Sequence, residues 1–222
     1  SFMEIGPGEG ALTYPLIDKI AKLIVIEKDK ILSVKLSEAF SENRRITVIN
    51  NDVLKTRLDN YIDDQIRIIG NLPYNIATEI IFFLLDSKIK IQDIHIMLQK
   101  EMVDRISASP GNKQYGRISV MVQANYEVKK LFDVSPNVFQ PKPKVWSSYM
   151  RLIPKKKVFD NETHKEKFKK IVTQAFVSRR KMIKTSLKDS ISLDDVYHII
   201  GDKKIRPEQL SFSQFIEMAK YA

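Results

Sequence analysis

Apolar and polar positions in the first hundred residues alternate between two kinds of segment, short β-branched runs and longer amphipathic stretches. That alternation is the mark of βαβ units feeding a parallel sheet. The pattern predicts strands over residues 2–5, 23–27, 46–50 and 65–70, with helices over 12–22 and 30–40 between the first three. A helix over 78–86 and a strand over 93–98 continue the series. Each of the first four strands runs out beside a polar or conformationally special residue: Gly6, Glu27, Asp52 and Asn71. Open α/β sheets bind ligands at the carboxyl ends of their strands, so these four positions are where chemistry is expected.

Further along, Ser109-Pro110-Gly111-Asn112 reads as a loop, and Phe139-Gln140-Pro141-Lys142-Pro143-Lys144 carries too much proline for a helix or a central strand. Residues 145–153 alternate as a closing strand, 154–157 read as a linker, and from His164 onward the period turns helical. The expected fold class is therefore α/β: a sheet domain over residues 1–157 and a small all-helical domain of three or four helices over 158–222.

Composition narrows the function classes. A chain of 222 residues with 43% hydrophobic and 29% charged residues can bury a core. Its apolar run at residues 80–85 is much too short to span a bilayer, and no secretory leader pattern is visible, so a soluble, cytoplasmic chain with no membrane partner is expected. The absence of cysteine excludes disulfides and cysteine-based zinc sites. His95, His164 and His198 have no ligand spacing; the first is expected on a strand, the other two at the surface, and no metal is expected. The net charge of +10 favours a polyanionic partner such as nucleic acid.

The turn Gly6-Pro7-Gly8-Glu9-Gly10 follows a strand and opens a helix, the place where a glycine-rich backbone approaches a ligand closely. Its spacing is G-x-G-x-G, and Glu9 would repel a pyrophosphate, which points to a ligand without phosphates. Glu27, ending the second strand, is placed to accept hydrogen bonds from ribose hydroxyls, and Asp52 to hold an adenine amino group. Together they suggest adenosine, carried by a nicotinamide cofactor or by S-adenosylmethionine. Asn71-Leu72-Pro73-Tyr74 decides for the second. An adenine amino nitrogen is a poor nucleophile because its lone pair is delocalised into the ring. The Asn71 amide oxygen and the Leu72 carbonyl can accept its two protons and turn that lone pair outward, Pro73 fixes the turn, and Tyr74 offers a ring for stacking.

At this point the chain resembles the KsgA family of ribosomal RNA adenine dimethyltransferases. The motifs are E-I-G-P-G-E-G at 4–10, V-I-E-K-D at 25–29, N-D-V at 51–53 and N-L-P-Y-N at 71–75, then M-L-Q-K-E at 97–101, Y-G-R-I-S-V-M at 115–121, F-Q-P-K-P-K-V at 139–145 and F-V-S-R-R-K at 176–181. The resemblance implies a Rossmann-like class I methyltransferase sheet with a small helical domain, acting on two adjacent adenines near the 3′ end of small-subunit ribosomal RNA. It implies cofactor contacts at Gly6, Glu27, Asp52 and Asn71, to which Gly8, Gly10, Lys28 and Val53 are added as neighbours. It also implies that residues 71–74 hold the target amino group while Phe139 closes over the flipped base. Two departures stand out. Trp146 occupies a position where the family more often has an acidic residue. The family also carries a segment with a Gln-Asn-Phe motif ahead of the first strand, absent from these 222 residues, so weak cofactor binding and poor methylation by this chain are expected.

Arg179, Arg180, Lys181 and Lys184 are expected as a cationic stripe on one helix whose other side carries Phe176, Ile183 and Leu187. With Arg117, Lys142 and Lys144 they form the expected contacts to ribosomal RNA in the small subunit, made by a monomer. Two other readings stay open: an adenine methyltransferase acting on large-subunit RNA, and a non-catalytic ribosome-assembly or RNA-binding factor. A nicotinamide-dependent dehydrogenase is more distant, since no general acid or base stands near the proline-bearing loop.

Overall fold

A computed structural model describes all residues of the chain except Asp63, Arg179, Arg180 and Lys203. The first strand, β1 (Phe2–Ile5), is followed by α1 (Thr13–Ile17), β2 (Leu23–Glu27), α2 (Lys30–Ala39), β3 (Ile46–Asn50) and β4 (Ile66–Asn71). Next come α3 (Ala77–Asp86), β5 (Ile91–Gln99), α4 (Lys100–Ile106), α5 (Arg117–Asn125), β6 (Tyr126–Val134) and β7 (Ser147–Pro154). The chain closes with α6 (Glu162–Val177), α7 (Ile183–Ser186), α8 (Leu193–Ile200) and α9 (Phe212–Met218).

The seven strands form one sheet in the order β3-β2-β1-β4-β5-β7-β6. Strands β1 to β5 are parallel to their neighbours, and β7 runs antiparallel to β5. A parallel sheet is covered on both faces, which is why β2, Leu-Ile-Val-Ile-Glu, is buried along its whole length. Leu23 and Val25 meet Ile17, with Phe40 and Val48 packed around them. Sequence order reverses direction across β1 and β4, the switch point where such sheets open a crevice. The two strands approach closely there: a Cβ at Gly70 would stand 2.7 Å from the Ile5 carbonyl oxygen, so no larger residue fits.

Every strand but β6, which the pattern does not predict, falls within two residues of its expected position, and two further expectations need correction. The helix expected over 12–22 covers only Thr13–Ile17. Lys22 already accepts the Phe2 N–H through its carbonyl, so residues 18–22 are needed to turn the chain into β2. His164, expected at the surface, is 6% exposed. Its Nε2–H donates to the Ile216 carbonyl at 2.8 Å, and its Nδ1 accepts the Asp160 N–H, so both ring nitrogens are satisfied inside the helical part. His95 does lie on β5, and His198 is exposed.

Contacts divide the chain into two units, residues 1–100 with 129–154 and residues 101–128 with 155–222. This differs from the boundary expected at 157. The segment 101–128 joins the C-terminal helices because α5 packs on α6 and α9, and because the Tyr115 hydroxyl, fully buried, donates to the Leu210 carbonyl at 2.9 Å.

Inside the sheet unit sits a charged cluster that no local pattern announces. Asp93 on β5 is 0% exposed and accepts from Arg67 on β4 at 2.5 and 3.2 Å and from Arg151 on β7 at 3.0 and 2.6 Å. His95 Nε2 lies 3.3 Å from the same carboxylate without hydrogen-bond geometry. Burial by itself would raise the Asp93 pKa, but the two arginines and the histidine outweigh it and hold the carboxyl below its ordinary value.

Candidate active site at the carboxyl edge of the sheet

Parallel register brings the sequence-predicted residues to one edge. Glu27 pairs with Asn50 across β2 and β3, and Glu4 pairs with Ile69 across β1 and β4; continuing that register by two residues sets Gly6 beside Asn71. A Cβ at Gly6 would lie 4.0 Å from Pro73 Cδ, which confirms that the glycine turn and the Asn71 loop adjoin.

Gly6, Gly8 and Gly10 all take positive φ, at 67°, 58° and 86°. Gly8 matters most, because its left-handed backbone turns its N–H onto Glu27 Oε2 at 3.0 Å while a Cβ there would meet nothing within 4 Å. The turn is thus tied to the end of β2 on one side and open on the other. Glu27, 7% exposed, also accepts the Asp29 N–H on Oε1 at 2.8 Å. Each carboxylate oxygen then holds one backbone donor and keeps acceptor capacity for a ligand hydroxyl. Behind the turn, Thr13 at the start of α1 donates its hydroxyl to Glu4 Oε2 at 2.7 Å, with both residues buried, so the two ends of the turn are joined. Burial raises the Glu4 pKa, the Thr13 hydrogen bond opposes this, and the Glu27 charge adds to the rise.

At the end of β3, Asp52 accepts the Leu54 N–H at 3.0 Å and pairs with the Lys28 ammonium at 3.0 Å. The Lys28 contact first, then the Leu54 N–H, hold its carboxyl below the ordinary value. Lys28 is therefore engaged with Asp52, and Val53 is buried in the short helical turn that Asp52 caps. The Glu27 carbonyl accepts both the Asn50 amide at 3.0 Å and the Asn51 N–H at 3.1 Å, fastening the ends of β2 and β3 to each other.

Asn71 closes β4 and is exposed. Leu72 is buried at 1% and donates its N–H to the Met97 carbonyl, while the Pro73 carbonyl accepts the Ile76 N–H, so the loop is anchored as it turns into α3. Half-buried Tyr74 is held by its hydroxyl, 2.7 Å from the fully buried Ser147 Oγ on β7. Phe139, also half-buried, sits after a short helical turn at 136–138, in the loop between β6 and β7 that carries exposed Lys142 and Lys144. Sequence reasoning missed Thr13, Ser147 and Asn50, which act only through partners 9, 73 and 23 residues away.

The expected cationic stripe is not one helix. Helix α6 ends at Val177, α7 begins at Ile183, and the Ile183 N–H donates to the Ile205 carbonyl, which starts a new direction. Lys181 is exposed and Lys184 half-buried, with Ile183 and Leu187 fully buried; Arg179 and Arg180 lie outside the described residues. Arg117 is exposed at the start of α5, within the helical unit.

Comparison with known proteins fits this geometry. A sequence model described as ribosomal RNA adenine dimethylase matches residues 1–222. The chain belongs to the ribosomal RNA adenine dimethylase family. Among curated relatives, the ribosomal RNA small subunit methyltransferase A of Legionella pneumophila (strain Corby) is 42% identical over 221 residues, covering 100% of this chain and 86% of the relative. The protein of the same name from Pseudomonas aeruginosa PAO1 is 40% identical over 223 residues, covering 98% and 82%. In fold, the chain is similar to a dimethyladenosine transferase from Plasmodium falciparum, with a TM-score of 0.82 at 24% identity, covering 98% of this chain and 87% of that one. It is also similar to the 23S rRNA methyltransferase ErmE, with a TM-score of 0.77 at 24% identity, covering 99% and 89%. The fold class is thus the class I methyltransferase sheet with a helical C-terminal part.

Proposed function

We propose that this chain transfers methyl groups from S-adenosylmethionine to the N6 nitrogens of two adjacent adenines in small-subunit ribosomal RNA. The observation that carries the reading is the abutment of the Asn71-Leu72-Pro73-Tyr74 loop on the glycine turn at the switch point of the sheet. Curated relatives about 40% identical over nearly the whole chain carry the small-subunit name, whereas the large-subunit reading rests on likeness of fold to ErmE alone.

The donor set fits the cofactor. Glu4, Glu9, Glu27 and Asp52 make the carboxyl edge acidic, which suits a cationic sulfonium and repels a pyrophosphate. Glu27 would take the ribose hydroxyls, Asp52 the adenine amino group, and the open side of Gly8 gives the ligand close approach to the backbone. When bound, the cofactor supplies an electrophilic methyl group on sulfur.

The chain's own contribution is to orient the acceptor. The Asn71 side-chain oxygen and the Leu72 carbonyl accept the two amino protons of the target adenine, pulling its nitrogen toward a tetrahedral shape with the lone pair aimed along the transfer line. Tyr74, pinned by Ser147, and Phe139 bracket the base; bases flipped out of a stack are commonly held between such rings. Lys142, Lys144, Arg117, Lys181 and Lys184, with Arg179 and Arg180, supply phosphate contacts. Incubating the chain with labelled S-adenosylmethionine and undermethylated small subunits, then mapping the modified bases, tests the reading. Label at two neighbouring adenines of the small-subunit RNA is expected, and label only on large-subunit RNA, or none, would refute it.

A further inference from the structure

Trp146 is the only tryptophan of the chain, and the activity as derived above makes no use of it. It stands immediately before β7, whose first residue, Ser147, pairs with Gln99 at the end of β5. Because β7 is antiparallel to β5, its beginning lies at the carboxyl edge of the sheet, the edge that carries Gly6, Glu27, Asp52 and Asn71. The next residue in the chain, Ser147, is the one that holds the Tyr74 hydroxyl.

Trp146 is 51% exposed although its backbone is fixed. The Trp146 carbonyl accepts the Lys100 N–H at 2.9 Å, and the following residue is already in the sheet ladder. Phe132, exposed to a similar degree, stacks on Tyr149 with ring centroids 5.3 Å apart, whereas Trp146 has no ring or cation partner among the described residues. A single exposed apolar side chain is ordinary, whereas several gathered in one segment mark an interaction surface. The loop that leads into it is apolar and cationic together: Val138 is 70% and Val145 41% exposed, and exposed Lys142 and Lys144 are paired with no acid among the described residues.

An exposed flat ring two and four residues after exposed Lys144 and Lys142 in one loop fits a ligand that is itself flat and anionic, and an unpaired nucleotide has both properties. We propose that Trp146 is a stacking platform for an unpaired nucleotide adjoining the target adenine, with the backbone phosphates of that segment lying against Lys142 and Lys144. The inference rests on the methyltransferase reading of the same edge and adds to it a specificity contact outside the catalytic loop. Rigidity of the Trp146 backbone lowers the ordering cost of such a contact.

Because the tryptophan is unique, its own emission reports on the ring. Titrating the chain with a single-stranded oligoribonucleotide containing two adjacent adenines should quench the emission in step with binding. Trp146→Ala should weaken that binding about tenfold, within the range for one base–aromatic stack, and leave the salt slope unchanged. Trp146→Phe should recover most of the loss. Lys142→Ala with Lys144→Ala should instead flatten the slope by about 1.4. Cofactor affinity, measured by calorimetry, should be the same in all variants, which shows that each is folded. Unmoved emission at saturating RNA, equal affinity after Trp146→Ala, or equal quenching by a duplex or an acidic peptide of the same length would each overturn the inference. Methyl transfer by the unsubstituted chain with unmoved emission sinks the platform alone; absence of both transfer and RNA binding sinks the platform together with the reading it rests on.

Discussion

Glu27 and Asp93 are both buried carboxylates on parallel strands of one sheet, yet they have opposite characters. Glu27, at the carboxyl end of β2, is held by backbone N–H groups from Gly8 and Asp29, donors that the chain fixes without side-chain ordering. Asp93, within β5, is held by two arginine side chains, three of whose donors fall on Oδ2 and one on Oδ1, and the residue is fully buried. A carboxylate oriented by main chain at a strand end keeps lone pairs for a ligand, whereas one buried between two guanidinium groups is committed to the fold. The difference divides the sheet into an edge built for recognition and an interior built for cohesion, and substitutions can test the division.

The largest effect is expected where the edge meets its substrate. Asn71→Ala should lower the rate of methyl transfer by about a thousandfold, the size seen when one aligned polar group is removed from a reacting centre. Its thermal midpoint should barely move, because the side chain is exposed. A rate within tenfold of the unsubstituted chain would mean that the loop is not where the amino group is gripped. In the interior the pattern should invert. Asp93→Ala leaves Arg67 and Arg151 facing each other and should cost about 3 kcal/mol in denaturant unfolding, at the low end for a broken buried ion cluster. The discount reflects solvent reaching the two arginine side chains, 30% and 36% exposed. Cofactor affinity should change less than twofold. Replacing all three, Asp93→Leu with Arg67→Met and Arg151→Met, should recover most of the loss, since no unpaired charge is then left behind.

The same division marks what the sequence made legible. Strands β1 to β4, the four strand-end residues and the Asn71 loop could be read because periodicity and motif spacing are local signals, and parallel register then carried Gly6 and Asn71 to each other. Strand β6 escaped because, as the outer strand, it buries fully only Tyr126 and so shows no clean alternation. The arginine cluster escaped for another reason: Arg67 and Arg151 lie 26 and 58 residues from Asp93, and only strand order makes them neighbours. The boundary between the units fell elsewhere than expected because the segment 101–128 has a helical period of its own but finds its apolar partners beyond residue 160, in α6 and α9. Local chemistry is written in local sequence, while cohesion is distributed.

A smaller effect sharpens the contrast at Glu27. The change Glu27→Gln preserves shape but replaces one acceptor oxygen with an amide that the Gly8 or Asp29 N–H cannot donate to. Cofactor affinity should fall about tenfold by calorimetry, the weight of one charge-assisted hydrogen bond, with only a modest loss of stability. If stability fell as far as in Asp93→Ala while affinity held, Glu27 would belong with the cohesive interior and the comparison would fail.

The smallest effect concerns pH, where the two regions should differ in sign. Asp93 has its pKa lowered on folding, so its contribution to stability is complete above the ordinary value of 3.8 and is lost as pH falls through the native value. Glu4, behind the glycine turn, has its pKa raised, first by burial and then by the Glu27 charge against the Thr13 hydrogen bond. Its contribution is therefore complete below 4.5 and is lost as pH rises through the native value. Glu4→Gln should keep an oxygen for the Thr13 hydroxyl while removing the buried charge, and at neutral pH it should stabilise the chain by under about 1 kcal/mol. Denaturant midpoints followed from strongly acid to neutral pH distinguish the two: Asp93→Ala should flatten the acid limb, and Glu4→Gln should flatten the decline toward neutrality. Identical profiles for Glu4→Gln and the unsubstituted chain would show that Glu4 carries no folding-linked proton, and the carboxyl edge would then be set apart from the interior by its hydrogen-bond donors alone.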